Sequence, residues 1–190
     1  MQSRNPLQRL VTEPQFIGFA GRMGAGKTSA AKYLSIKYGL QYARYSEVLQ
    51  EWLACDESDK DQLQRVGWNV MGGGMQRELN VRLIARLNRT QGAAIDGLRH
   101  PIDFESLSSR LGESFHLIFL ETAPEWRFER LRQRFSTYKA FQLAELQPVE
   151  AFIEDLKPWS STVILNEGPL EHLYSALEAW MTAASAGEQK

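Results

Sequence analysis

Short apolar runs alternate with longer stretches of helical periodicity along this chain. Phe16–Ala20 is a compact apolar run and reads as a buried strand. The residues from Ser29 to Leu34 read as helix, and Tyr38-Gly39-Leu40 supplies a C-cap glycine and a restart. Gln41–Tyr45 gives a second short strand. Ser46–Leu53 follows with an N-cap residue and apolar positions Val48, Leu49, Trp52 and Leu53 at helical spacing. Asp56–Asp61 is a charged, solvated loop. Leu63–Met71 and Met75–Leu87 are two helical segments, the second carrying Leu79, Leu83, Ile84 and Leu87 on one stripe. Gly72-Gly73-Gly74 separates them, as a flexible break or cap, or else as a place where a phosphate or substrate approaches the backbone.

The second half repeats the alternation. Ala93–Asp96 is a buried-type strand, and a helix starts at or just after Pro101 and runs to Leu111. Phe115–Glu121 is a strongly apolar strand, and Pro124–Phe135 is a helix with proline near its first turn. Residues 136–147 form an irregular or short helical linker, and Val149–Leu156 a helix. Thr162–Asn166 is the last strand and Pro169–Met181 the last helix. Strands separated by helices predict an α/β fold, a parallel sheet covered on both faces. The chain has no internal repeat and no low-complexity tract.

At 190 residues this is expected to be one domain, 1–190. Hydrophobic content of 43% with 24% charged residues is enough for a core and excludes a disordered chain. The net charge is −1 and the pI about 6.3, so the footprint of a general DNA-binding surface is absent. A local basic stretch remains at Arg127–Arg134. The lone cysteine, Cys55, excludes an intramolecular disulfide and suits a reducing cytoplasm; it reads as a half-buried helix residue rather than a catalytic thiol. Met1–Pro14 is polar without an apolar signal region, and no stretch is apolar for long enough to span a bilayer. Met1–Gln8 and Ala184–Lys190 read as frayed ends.

Chemistry enters at residues 21–28, Gly-Arg-Met-Gly-Ala-Gly-Lys-Thr, a complete G-x-x-x-x-G-K-[ST] phosphate-binding loop between a predicted strand and a predicted helix. Gly21, Gly24 and Gly26 allow turns closed to residues with a Cβ, so that backbone N–H groups converge on an anion at a helix N-terminus. Lys27 would reach the β- and γ-phosphates, and Thr28 would offer its hydroxyl to Mg²⁺. ATP with Mg²⁺ is the expected cofactor, held by Gly21, Met23, Gly24, Ala25, Gly26, Lys27, Thr28 and Ser29.

A bound triphosphate needs an acidic partner. Asp96 ends a predicted strand, where a carboxylate faces the ligand crevice of a parallel sheet; it could hold Mg²⁺, partly through water, or take a proton from an attacking oxygen. Arg99, three residues on, is suited to bidentate phosphate binding. Arg127, Arg130 and Arg134 fall near one face of a helix, with Arg132 elsewhere. Stacked like charges call for anions. Glu125 and Glu129 supply some, and bound phosphates would supply more. Arg130 and Arg134 are the favoured catalytic pair, and Arg127 an acceptor contact.

These elements resemble the nucleoside-monophosphate-kinase-like branch of the P-loop proteins, in particular dephospho-CoA-kinase-like and deoxynucleoside-monophosphate-kinase-like enzymes. Asp96-Gly97-Leu98-Arg99 is similar to their Asp-Gly-x-(Pro)-Arg element, with the proline displaced to Pro101. Tyr45-Ser46-Glu47-Val48-Leu49 resembles the segment that opens their acceptor-binding helices, with Glu47 where Asp is usual. Arg130-Leu131-Arg132-Gln133-Arg134 resembles a lid motif, and Val163–Gly168 the strand end near the adenine site. The resemblance covers roughly residues 15 to 180.

It implies a three-layer α/β/α fold with a five-stranded parallel sheet in the order 2-3-1-4-5. It also implies an acceptor-binding helical region at about 45–90 and a lid at about 127–157. Asn166 would line the ATP site, and Glu47 with Arg99 the acceptor site. The activity implied is transfer of the γ-phosphate of ATP to a nucleotide-like acceptor, a deoxynucleoside monophosphate first. Dephospho-CoA and a hydroxymethylated base in DNA are alternatives, DNA being the less favoured. The expected protein is a cytoplasmic monomer or homodimer without a membrane partner. A nucleotide-dependent switch is the opposing reading, but neither Asn-Lys-x-Asp nor Asp-x-x-Gly occurs where a guanine-specific switch needs it. A non-catalytic nucleotide sensor is opposed by the intact Lys27, Thr28 and Asp96.

Overall fold

A computed structural model describes residues 14–54 and 60–185, the side chains of residues 60–64 and 71 excepted. Cys55, most of the charged loop and the extreme ends lie outside the described residues. Five strands form one sheet: β1 (Phe16–Ala20), β2 (Gln41–Arg44), β3 (Ala93–Asp96), β4 (Phe115–Glu121) and β5 (Thr162–Leu165). All pairings are parallel and the order is β2-β3-β1-β4-β5, as expected.

Side chains alternate across the pleat and feed two cores. Phe16, Ala93, Ile95, Phe115, Leu117 and Phe119 face one core, with α2 (Tyr45–Leu53), α4 (Gln76–Ala85) and α5 (Pro101–Leu111). Ile17, Phe19, Ala94, Ile118 and Leu120 face the other, with α1 (Lys27–Tyr38) and α8 (Leu170–Ser185). The central strands are therefore apolar on both faces, which is why they read as continuous apolar runs. α3 (Lys60–Gly72) follows α2.

Most element ends shift by a few residues, α8 among them, which runs on to Ser185; the larger departures lie between Pro124 and Leu156. The helix expected over Pro124–Phe135 is α6 (Pro124–Arg130), followed by turns in which Arg134 and Phe135 N–H both donate to Leu131 O. The linker contains α7 (Tyr138–Glu145), capped by Thr137 Oγ1 accepting from Ala140 N–H at 3.2 Å. The helix expected over Val149–Leu156 is instead two 3-10 turns, Pro148–Glu150 and Glu154–Trp159. Prolines 148 and 158 bracket this stretch, and Glu150 is drawn inward to 1% exposure, so the segment follows its buried polar contacts rather than an amphipathic helix. Among the described residues no helix is long and apolar enough to cross a membrane.

Candidate active site

The loop at residues 21–28 joins β1 to α1, and Gly26, at φ +101°, caps the helix. A Cβ on Gly21 would stand 2.4 Å from Leu120 O, and one on Gly26 2.5 Å from Asn166 Nδ2. The loop thus presses onto the ends of β4 and β5 from behind. Asn166, buried after β5, donates to Ala25 O at 2.9 Å. It braces the back of the loop and is not among the residues lining the cavity in front, the position expected of an ATP contact.

Lys27 is buried, and its Nζ donates to Gly21 O at 2.5 Å and Arg22 O at 3.0 Å. Burial, and then the positive charge of Arg99, lower its pKa to about 8, against the opposing pull of Glu150 and Asp96. Thr28 Oγ1 donates to Asp96 Oδ2 at 2.7 Å. β1 and β3 run in register with Phe19 opposite Asp96, so the carboxylate arrives beside the start of α1. Tyr42 OH donates to the same oxygen at 3.0 Å, and Arg44 Nε lies 3.9 Å from it. Burial and the neighbouring Asp96 push the Tyr42 hydroxyl's pKa up, so it stays a donor.

The positive-φ glycines and the hydroxyl–carboxylate pair fit a phosphate chain with a hard divalent ion such as Mg²⁺. Among the described residues no three His, Cys, Asp or Glu side chains gather as a metal cage. Mg²⁺ takes one or two protein oxygens and fills its remaining positions with phosphates and water, so Thr28 and Asp96 are the residues that would hold it.

Arg99 lines the same cavity and pairs through Nη1 with Glu150. The other oxygen of Glu150 accepts from Met23 N–H, inside the loop, at 3.2 Å. Burial alone would raise the pKa of Glu150, but Arg99, Lys27 and the Met23 N–H outweigh it and hold the carboxyl below the ordinary range. Glu150 was not legible as a site residue; a lone glutamate near the start of the helix expected over Val149–Leu156 carries no distinguishing signal.

Asp103 is the second unforeseen group. Its Oδ1 accepts from Asn80 Nδ2 at 2.8 Å and from Gln76 Nε2, and its Oδ2 accepts from the N–H groups of Arg99 and His100, each at 3.0 Å. Burial raises its pKa against these four donors. His100 Nδ1 accepts from Ile102 N–H in turn, at 3.1 Å. Asp103 three residues after His100, with Pro101 between them, carried a helix-start signal but no hint of this network.

One cavity of about 580 Å³ joins these groups. Met23, Gly24, Gly26, Lys27, Thr28 and Ser29 of the loop line it, together with Arg44, Ser46, Gln76, Asp96 and Arg99. Arg130 and Arg134 border it. Arg130 Nη2 donates to Asn166 O at 2.8 Å, and Arg134 Nη1 lies 3.3 Å from Met23 Sδ. Gly21, Ala25, Asn166, Glu47 and Arg127 do not line the cavity.

Arg127, expected to contact the acceptor, is 3% exposed. It donates to Thr122 O at 2.9 Å and Met23 O at 3.3 Å, and pairs with Glu145, so it ties α6 to the loop and to α7. Trp52 and Trp68 do not line the cavity either. Trp52 lies under the Arg82 guanidinium at 4.6 Å, and Trp68 faces a separate cleft beside Pro148.

No protein-family model and no curated protein sequence matches the chain. Solved structures do match in shape. A shikimate kinase from Acinetobacter baumannii, in complex with shikimate, superposes with a TM-score of 0.60 at 16% identity, over 97% of this chain and 100% of that one. A gluconokinase from Sinorhizobium meliloti 1021 gives 0.62 at 15% identity, over 92% and 95%. The APS kinase CysC of Mycobacterium tuberculosis, in complex with AMPPNP and APS, gives 0.56 at 11% identity, over 88% and 96%. The chain has the fold of these P-loop kinases.

Proposed function

We propose that this chain is an ATP-dependent phosphotransferase acting on a small phosphate-bearing acceptor, a deoxynucleoside monophosphate in first place. The observation that carries the reading is one cavity lined by Lys27, Thr28, Asp96 and Arg99 together. When bound, MgATP supplies the transferable phosphoryl group. Lys27 leaves its loop carbonyls to meet phosphate oxygens, and Thr28 with Asp96 holds the ion. Arg99 and Arg44 grip the acceptor's anionic end, and Arg130 and Arg134 offset charge at the transferring group and keep water out. Bringing both substrates into one cavity converts a two-body encounter into an in-place reaction.

The kinases similar in shape include ones for shikimate and gluconate, whose hydroxyl acceptors would need a base. Here the Asp96 oxygen nearest the loop already accepts from Thr28 and Tyr42. An ionised acceptor phosphate needs no base, which favours the phosphate-bearing class. The test is incubation with MgATP and each of the four deoxynucleoside monophosphates, dephospho-CoA, hydroxymethylated DNA, shikimate and gluconate, following ADP release and product mass. Acceptor-dependent ADP release with one nucleotide supports the reading. Transfer only to dephospho-CoA, hydroxymethylated DNA, shikimate or gluconate moves the chain to the hydroxyl class. Hydrolysis indifferent to every acceptor makes it a nucleotide-dependent switch.

A further inference from the structure

We propose that Tyr42 is a positioning residue: its hydroxyl holds Asp96 in the orientation that meets a divalent ion, without touching ion or substrate itself. The proposal rests on that reading for a nucleotide and its Mg²⁺ at the loop, and on no particular acceptor. Asp96 Oδ2 accepts from Thr28 Oγ1 at 2.7 Å and from Tyr42 OH at 3.0 Å. A carboxylate oxygen has two lone pairs, so these two hydroxyls fill it. They come from different elements, Thr28 from the start of α1 and Tyr42 from β2, and meet at the end of β3. Asp96 and Thr28 line the cavity; Tyr42 does not.

The sheet register explains why a tyrosine fits this place. β2 and β3 run in parallel with Tyr42 opposite Ala94 and Arg44 opposite Asp96. Side chains alternate along a strand, so Asp96 shares a face with Ala94, the face covered by α1, and Tyr42 packs on that same face. Tyr42 starts level with Ala94 and must reach about 6.6 Å along the sheet, two residues of parallel strand, to meet the carboxylate. A leucine or valine would cover the core and fall short. Lys32, one turn after Thr28 on α1, sets its ammonium 5.8 Å from the ring centroid. The ring thus lies against the helix that carries Thr28.

β2 is an edge strand, where a tyrosine can give its hydroxyl to water at no cost. Here the hydroxyl goes to a carboxylate that is only 4% exposed. With Thr28 as its one donor, that carboxylate could swing about its Cβ–Cγ bond, and Arg44 Nε, 3.9 Å from the same oxygen, would compete for it. Two donors on Oδ2 fix the group and leave Oδ1 as the oxygen for the ion or its water. A partner standing behind a metal-holding carboxylate changes metal affinity by about ten- to a hundredfold. The opposing reading is that Tyr42 merely satisfies a buried acceptor; it predicts a change in stability and none in metal affinity.

The experiment is Mn²⁺ binding to the ADP-saturated protein, read from the electron paramagnetic resonance signal of free Mn²⁺, in wild type, Tyr42→Phe, Asp96→Asn and the double variant. Tyr33→Phe, which removes a phenol that α1 gives to Glu178 on α8, is the control. Tyr42→Phe should bind Mn²⁺ about tenfold more weakly. Metal-free ADP, followed by calorimetry, should bind it as it binds wild type. Tyr33→Phe should change neither. Because Tyr42 acts through Asp96, adding Tyr42→Phe to Asp96→Asn should cost under about twofold more. Tyr42→Gln, whose amide ends short of Asp96, should repeat the loss and decides the matter if Tyr42→Phe does not fold. Unchanged Mn²⁺ affinity, or the same tenfold loss in the Asp96→Asn background, would overturn the proposal. Hydrolysis of MgATP indifferent to every acceptor, with Mn²⁺ binding still set by Tyr42, would refute the kinase reading and leave this one standing. Failure of the wild type to bind ADP, with or without metal, would overturn both.

Discussion

Arg99 and Glu150 form an ion pair across 51 residues of sequence, with the carboxylate only 1% exposed and its second oxygen on the Met23 N–H of the phosphate loop. One acidic side chain thereby holds the Arg99 guanidinium and the loop at residues 21–28 in a fixed relation. Glu150→Ala would leave the arginine without its counter-charge and the Met23 N–H without its acceptor. Breaking a fully buried pair costs about 3–5 kcal/mol. With Arg99 about a third exposed the expected loss is nearer 2 kcal/mol, read as a shift of the urea midpoint. Glu150→Gln, which keeps a hydrogen-bond acceptor, should recover part of that stability while still raising the acceptor KM. The Glu150 carboxyl is held below its ordinary range, so its contribution is present above the unfolded glutamate value of 4.5 and is lost as pH falls through the lower folded value. The stability difference between wild type and Glu150→Gln should therefore shrink in acid.

Lys27 gives a second pH signature, of opposite kind. Its pKa in the fold is about 8, against an ordinary 10.5, so below about pH 8 the buried ammonium is a cost to the fold. As pH rises from about 8 toward 10.5 the folded chain has released the proton while the unfolded chain still holds it, and that cost disappears. Lys27→Met should therefore stabilise the ligand-free protein by roughly 1–3 kcal/mol at pH 7, with the gain fading above pH 8, as measured by thermal melts across pH. The same variant should lose most turnover, since a neutral side chain cannot offset phosphate charge. In the wild type, MgADP affinity should fall above pH 8 by at most tenfold per pH unit, and binding at pH 8 should take up protons. Calorimetry in buffers of different ionisation enthalpy reads that uptake directly.

The sheet was legible because its central strands are buried on both faces and its loop is a fixed motif. The order of strands followed from the resemblance and matches the structure. Asp96 and Arg99 were legible because a strand end and a three-residue spacing place them. Glu150, Asp103 and Gln76 were not, for one shared physical reason. The side chain of each has a partner far along the chain, Glu150 with Met23 and Asp103 with Gln76, and the helix-start pattern that marks Asp103 locally says nothing of that distant partner. Arg127 was misassigned by the same limit. Helical spacing grouped it with Arg130 and Arg134, but only tertiary packing separates the arginine that faces inward from the two that border the cavity.

That separation is testable. Arg127→Met would strand Glu145 and release the Thr122 and Met23 carbonyls, all in a buried site, so a loss of about 2–4 kcal/mol in urea unfolding is expected. Arg134→Ala removes a guanidinium from the rim of the cavity. It should cost less in urea unfolding than Arg127→Met and lower kcat by about a hundredfold, with the acceptor KM little altered, as expected for charge stabilisation made only in the transition state. Equal stability losses in the two variants would place both arginines in the scaffold.

The Thr28–Asp96 contact makes the last prediction specific to the metal. Thr28 Oγ1 reaches Asp96 Oδ2 at 2.7 Å, so the hydroxyl and the carboxylate bracket one point beside the loop. Asp96→Asn keeps the size and can still accept from Thr28 and Tyr42, but it removes the negative charge that draws a divalent ion. Turnover at fixed ATP should fall by about a hundredfold or more, and part of the loss should return at high Mg²⁺, because the defect is in ion affinity rather than in the fold. Thr28→Ser keeps the oxygen and should retain activity, whereas Thr28→Ala should mimic the magnesium dependence of Asp96→Asn. Initial rates titrated with Mg²⁺ from micromolar to tens of millimolar separate these outcomes. A loss in Asp96→Asn that no magnesium concentration relieves would assign the carboxylate to proton transfer, and with it a hydroxyl acceptor.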